Sequence, residues 1–190
     1  MAKKVSRRLV IDASVARSAT LSDNPTSISC RRFLEVVLKV CHKVILSRDT
    51  EEEWQNVALL IRGRADELRI RFLVDWMLAM QRRGKLVRSQ VDHDKALRSK
   101  INHLGLPESS RQEIVQDLHL VEAALSSDQI VVSRDDSVQV LLRGITGNCR
   151  EIRKVIWCNP VTLGDDALDW LRKGARVVKV WQLGSKRHQS

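Results

Sequence analysis

Three short apolar runs in this sequence end directly in acids. Leu9, Val10 and Ile11 lead into Asp12; residues 43–47 lead through Arg48 into Asp49; residues 129–133 lead through Arg134 into Asp135, with Asp136 behind it. One acid in such a place means little, because Asp is a common helix N-cap and turn residue. Two helix-like stretches add further carboxylates. Over 109–127, Ile114, Leu118, Val121 and Leu125 form one apolar stripe, and at ~100° per residue Asp117 falls on its edge. In the stretch that opens near residue 50, Trp54, Val57, Ala58 and Ile61 make the apolar face. That puts Glu52 on the far side and leaves Glu51 and Glu53 both at the edge. Periodicity does not choose between those two, and either also suits the positive end of a helix dipole.

Carboxylates brought together repel, and each resists ionisation unless a cation compensates. Mg²⁺ or Mn²⁺ is the natural cation, because hard divalent ions prefer carboxylate and water oxygens. Two such ions ~4 Å apart can clamp the attacking and leaving oxygens of a phosphodiester. The rest of the chain carries the opposite charge: 33 Lys and Arg against 23 Asp and Glu, a net charge of +10 over 190 residues. An excess of that size favours a polyanionic partner, nucleic acid ahead of anionic membrane. An acidic metal pocket in a basic surface is what a metal-dependent nuclease requires.

The elements that would position these acids are legible as an alternation. Hydrophobic residues at 43% and charged residues at 29% exclude a mostly disordered chain. Strand-like runs at 7–12, 43–47, 129–133 and 155–159 alternate with helix-period stretches at 27–42, about 50–83, 93–101, 109–127, 136–143 and 164–173. Residues 84–92 are ambiguous, and 176–183 read as a last strand. The alternation predicts a single α/β domain, a three-layer α/β/α fold around a central parallel sheet. Residues 62–110 hold most of the Arg clusters and read as an extended helical insertion; from about 184 the chain reads as a short flexible tail. In an open parallel sheet ligands gather beyond the carboxyl ends of the strands, which is where the acids fall.

Taken in order, these blocks resemble the PIN-domain nucleases, the VapC-like ribonucleases among them. RLVIDASVA resembles the family's first strand and leading aspartate. ILSRDTEEEW is similar to its second signature, a strand ending in Ser with a Glu a turn or two into the next helix. DLHLVEAALSSDQIVVSRD resembles its third block, a helix opened by Asp and a strand ending in Ser or Thr, any residue, then Asp. The resemblance implies a PIN-like fold and hydrolysis of RNA phosphodiester bonds with one or two Mg²⁺ or Mn²⁺ ions. It implies that Asp12, Asp117 and Asp135 hold the metal, and that Glu53 rather than Glu51 binds metal or orients the attacking water. Ser133 and Ser14 would support a ligand carboxylate from behind. Asp136 beside Asp135 leaves open which carboxylate faces the metal. Many members are toxins held in check by a small antitoxin and many dimerise, so an antitoxin and a homodimer are expectations. The stretch between Glu53 and Asp117 is longer than in the compact bacterial toxins of this family. A non-catalytic PIN-like module that binds RNA or a protein is the alternative reading, and the complete acidic set argues against it.

Arg82, Arg83, Lys85 and Arg88 are the expected nucleic-acid contacts, with Arg62, Arg64, Arg69 and Arg71 at the other end of the helical stretch. Such groups position phosphates without reading sequence. The five Trp sit among apolar neighbours, and with no Tyr and two Phe a stacking-based single-strand binder is disfavoured. His119, two residues after Asp117, is expected about 160° away from it and outward. Cys30, Cys41, Cys149 and Cys158 form no Cys-x-x-Cys pair; Cys41 and Cys158, inside apolar runs, read as buried, reduced thiols. No apolar run approaches the ~20 residues of a membrane span and the N-terminus has no signal-peptide pattern, so a cytoplasmic protein with no membrane partner is expected.

Overall fold

Strands buried on both faces read as continuous apolar runs, and the runs here form five of them. A computed structural model of the chain describes residues 5–60 and 67–185, with the backbone alone at 57–60 and 67–70. The order is β1 (Arg8–Ile11), α1 (Ala13–Ser18), α2 (Pro25–Lys39), β2 (Lys43–Leu46), α3 (Arg48–Leu60), α4 (Glu67–Arg82), β3 (Leu86–Arg88), α5 (Lys95–Asn102), α6 (Glu108–Leu125), β4 (Ile130–Val132), α7 (Asp136–Gly144), β5 (Ile156–Cys158) and α8 (Asp165–Arg172). The strands make one all-parallel sheet in the order β3-β2-β1-β4-β5. Helices cover both faces, giving a three-layer α/β/α domain.

Alternation along each strand divides the core in two. Leu9, Ile11, Val44, Leu46, Val132 and Cys158 face α1, α2, α4 and α8; Val10, Ile45, Val131 and Trp157 face α5, α6 and α7. The chain runs outward from β1 through β2 to β3, then returns through α5 and α6 to place β4 on the other side of β1. The crevice at the carboxyl ends of β1 and β4 is therefore the point where the strand order reverses, the place where open α/β sheets bind ligands.

Residues 62–110 are not an added arm in their described part. Helix α4 buries Leu73, Trp76 and Met80, and the Trp76 indole donates to the Leu34 carbonyl at 2.7 Å. The ambiguous stretch supplies β3, the edge strand paired with β2. Helix α5 buries Leu97 and Ile101 in the second core. Arg62, Arg64 and the side chain of Arg69 lie outside the described residues, as do residues 186–190 of the expected tail.

Residues 176–183 are not a strand. They form a 3-10 turn at Lys179–Trp181 and a single antiparallel bridge from Gln182 to Ile156. The Trp170 indole donates to the Arg176 carbonyl at 2.6 Å, and its ring meets Trp181 edge-on at 5.3 Å, which folds the segment against α8. Cys41 is exposed, whereas Cys30, Cys149 and Cys158 are buried, and all four are free thiols. Among the described residues no helix is long and apolar enough to cross a membrane.

Candidate functional site

Asp12 follows the last residue of β1 and caps α1, its Oδ1 accepting from the Ser14 amide at 3.1 Å. Its Oδ2 accepts from the Ser14 hydroxyl and from the Ser133 hydroxyl, the latter at 2.6 Å. Ser133 follows the last residue of β4 and lies across the strand pair, because the Asp12 amide donates to the Val132 carbonyl at 2.9 Å. The Ser133 oxygen also accepts from the Asp135 amide at 3.0 Å. One hydroxyl thus joins the first aspartate to the turn that carries the second.

Asp135 caps α7, its Oδ1 accepting from the Val138 amide at 2.9 Å. Asp136 is turned away from this centre: one oxygen accepts from Asn159 Nδ2 at 3.0 Å and the other from the Thr162 hydroxyl at 3.1 Å. The sequence leaves both adjacent carboxylates open; against a supporting role beside the ligands, Asp136 instead ties α7 to the loop after β5. Asp117 projects from α6, which contacts β1 and β4 on one side and α3 on another.

Glu53 sits on α3, the helix after β2. Its neighbour Trp54 is fully buried and donates from its indole to the Ile11 carbonyl at 3.0 Å, which fixes α3 against the end of β1. The three candidate glutamates now separate. Glu51 pairs with Arg88 at 2.9 Å and Glu52 with Arg48 at 2.9 Å, while Glu53 faces His119, with Oε1 at 3.4 Å from Nε2. Asp49 lies in the first turn of α3, 3.9 Å from His93 Nε2.

The electrostatics set Asp117 apart. Burial pushes its carboxyl up to about 6, and the charges of Asp12, Asp135 and Glu53 add to the rise while His119 opposes it. Among the described residues, no Lys or Arg stands within ion-pair distance of Asp12, Asp117 or Asp135. In a chain with a net charge of +10 that is an unusual omission. No three His, Cys, Asp or Glu side chains among the described residues are drawn close enough to ligate one ion directly. The charges of Asp12, Asp135 and Glu53 nevertheless all act on Asp117. As an all-oxygen donor set with no Lys or Arg partner among the described residues, these carboxylates are of the kind that suits a hard divalent cation.

His119 is not outward. It is buried, with Nδ1 at 3.0 Å from the Gln116 carbonyl oxygen and Nε2 in ion-pair reach of Glu53, outside hydrogen-bond geometry. Burial lowers its basicity, but the Glu53 carboxylate outweighs that and raises it. Arg134 was also not singled out by the sequence. Its amide donates to the Ser14 hydroxyl at 3.3 Å and its guanidinium to the Ser18 hydroxyl, which leaves an exposed cation at the rim of the acids.

The four expected nucleic-acid contacts are scattered. Lys85 is buried, and its ammonium donates to the carbonyls of Val37, Leu38 (3.0 Å) and Val40 at the end of α2. Arg83 donates to the Leu38 carbonyl at 2.9 Å. Both close the unsatisfied C-terminal carbonyls of α2, so they are structural caps rather than phosphate contacts. Arg82 is exposed but precedes β3, at the amino end of the sheet; Arg88, at the carboxyl end of β3, is held by Glu51. Comparisons with protein-family models, curated proteins and solved structures found no match.

Proposed function

We propose that this chain is a metal-dependent ribonuclease of the PIN type, with its site in the crevice between the carboxyl ends of β1 and β4. The observation that carries the reading is a group of mutually repelling acids at the switch point of the sheet, with no Lys or Arg among the described residues within ion-pair distance of Asp12, Asp117 or Asp135, in a strongly basic protein. Asp12, Asp117 and Asp135 would hold Mg²⁺ or Mn²⁺, with Glu53 at the margin. The ion, when bound, supplies charge neutralisation for the phosphodiester and the means to generate hydroxide near neutral pH.

The chain's own groups have separate tasks. Ser14 and Ser133 fix the Asp12 carboxylate in one orientation, so little side-chain freedom remains to be lost on binding. Burial and the neighbouring acids push the Asp117 carboxyl up to about 6, and a bound cation would draw it back down and relieve the repulsion. Glu53, beside His119, is placed to orient a water and accept its proton. Arg134 is placed at the rim to receive a phosphate oxygen.

The test is Mn²⁺-dependent cleavage of an end-labelled single-stranded RNA. Asp12→Asn keeps the size but exchanges one acceptor oxygen for an amide donor and removes the charge, and it loses essentially all cleavage. Ser133→Ala loses ~10–100-fold, the usual cost of removing an outer support of a metal ligand. Glu52→Gln, an exposed position paired only with Arg48, cleaves like the wild type. Equal rates for Asp12→Asn and wild type would remove the nuclease reading.

A further inference from the structure

The acids lie beyond the carboxyl ends of β1 and β4; the opposite end of the sheet, at the start of β4 and β5, holds a basic cleft that the proposed chemistry does not use. It has a volume of about 800 Å³, and its charged lining is Arg150, Arg153, Lys154, Lys179 and Glu151. The first three cations come from the 3-10 turn at Arg150–Lys154 that leads into β5, and Lys179 comes from the turn at Lys179–Trp181. All four are exposed, and among the described residues none has an ion pair. The single acid, Glu151, is already neutralised by Lys100 at 2.6 Å.

The cleft is built rather than incidental. The Leu183 amide donates to the Val155 carbonyl and the Gly184 amide to the Arg153 carbonyl, both at 2.9 Å, and Gln182 Nε2 donates to the Lys154 carbonyl at 3.2 Å. These bonds strap residues 182–184 along the basic turn. The approach is so close that a Cβ on Gly184 would stand 2.7 Å from Arg153 Cβ, so this position requires glycine. Gln129, also in the lining, holds a left-handed backbone, φ 60°, between the end of α6 and the start of β4, and its carbonyl accepts from the Ile156 amide at 2.8 Å. Like charges fixed together on a rigid frame repel, and the arrangement is relieved by an anion.

We propose that this cleft binds the phosphodiester backbone of a single nucleic-acid strand. A concave site with four unpaired cations matches a chain of phosphates, and the side chains of Gln129, Gln182 and Ser185 add neutral hydrogen-bonding groups between them. A bilayer surface is a poorer match, because a concavity limits its contact with flat headgroups. The proposal does not depend on the acids being a nuclease site.

The experiment is fluorescence anisotropy of a labelled, unstructured 20-nucleotide RNA with the full chain in EDTA, repeated across a salt series. Arg153→Gln/Lys154→Gln/Lys179→Gln binds on the order of ten-fold more weakly near physiological salt, and its salt slope falls by about 2, at ~0.7 per phosphate contact on a single strand. Arg150→Gln alone lowers the slope by about 0.7. The charge-matched control Lys39→Gln/Lys95→Gln/Arg172→Gln, three exposed positions away from the cleft, keeps the wild-type slope. Equal losses in the cleft variant and the control would overturn the proposal, as would a wild type that does not bind the RNA. Loss of binding to phosphatidylserine vesicles with RNA binding intact would assign the cleft to a membrane surface instead and overturn it equally. Cleavage by Asp12→Asn in Mn²⁺ reads the other site separately, so the two proposals fail independently.

Discussion

Asp117 and Glu122 stand five residues apart on the same helix and have opposite electrostatics. Glu122 is the more buried, at 3% exposure. Burial raises its carboxyl, yet the balance is a lowering, because Arg98 donates to both oxygens at 2.8 and 2.7 Å, His93 lies at 3.1 Å and the Asp94 amide donates at 2.9 Å. Asp117, only half-buried by exposure, is pushed up to about 6 by burial first, and the acids Asp12, Asp135 and Glu53 add to the rise where Glu122 has Arg98 to reverse it. Burial alone therefore does not decide the direction in which a carboxylate on this helix is shifted. The separation is in the partners: the fold completes one acid and leaves the other incomplete.

Breaking the completed side has the largest effect on stability. Glu122→Gln keeps the volume but removes the charge that Arg98 and His93 surround, and a buried pair that loses one member is destabilised by about 2–3 kcal/mol, at the lower end because Arg98 retains some solvent contact. Urea unfolding at pH 7 reads this directly. Because the folded state holds Glu122 ionised below its ordinary range, that stability is present above pH 4.5 and is lost as the pH falls, so the deficit of the variant narrows in acid. An unchanged midpoint at pH 7 would mean that the Arg98 cluster is not what anchors α6 to the loop before α5.

The incomplete side gives a smaller change of opposite sign. Asp117→Asn removes one member of a repelling group and gains on the order of 1 kcal/mol at pH 7, discounted for its partial exposure. The wild-type carboxyl is raised in the folded state, so its contribution is fully present below pH 3.8 and is lost as the pH climbs to about 6. The advantage of the variant accordingly opens between those values and is flat above them. A loss of stability at pH 7 would show that Asp117 has a compensating partner.

What the sequence made legible follows the same division. Asp12 and Asp135 could be read because each closes an apolar run, and a parallel sheet puts such run ends on one side. Lys85 and Arg83 could not be read, because a side chain that caps a helix 45 or more residues away depends on a tertiary approach that no local pattern encodes. His119 was misplaced for a related reason. Residues 118–124 of α6 are all buried, enclosed by sheet and helices, so this part of the helix has no solvent face for periodicity to find. The six residues of α1 are too few to show a period, and the alternation in 176–183 suggests a strand only until Trp170 holds that segment against α8.

The central claim is that the acids at the switch point are incomplete because they are made to take a cation. Calorimetric titration of Mn²⁺ into the full chain at pH 7.5 tests it without relying on an RNA substrate. The account predicts saturable binding of one or two ions by the wild type, the same binding by Glu52→Gln, and at least ~10-fold weaker binding by Asp12→Asn and by Asp117→Asn. Indistinguishable isotherms for wild type and Asp12→Asn, or no saturable binding by the wild type, would contradict it.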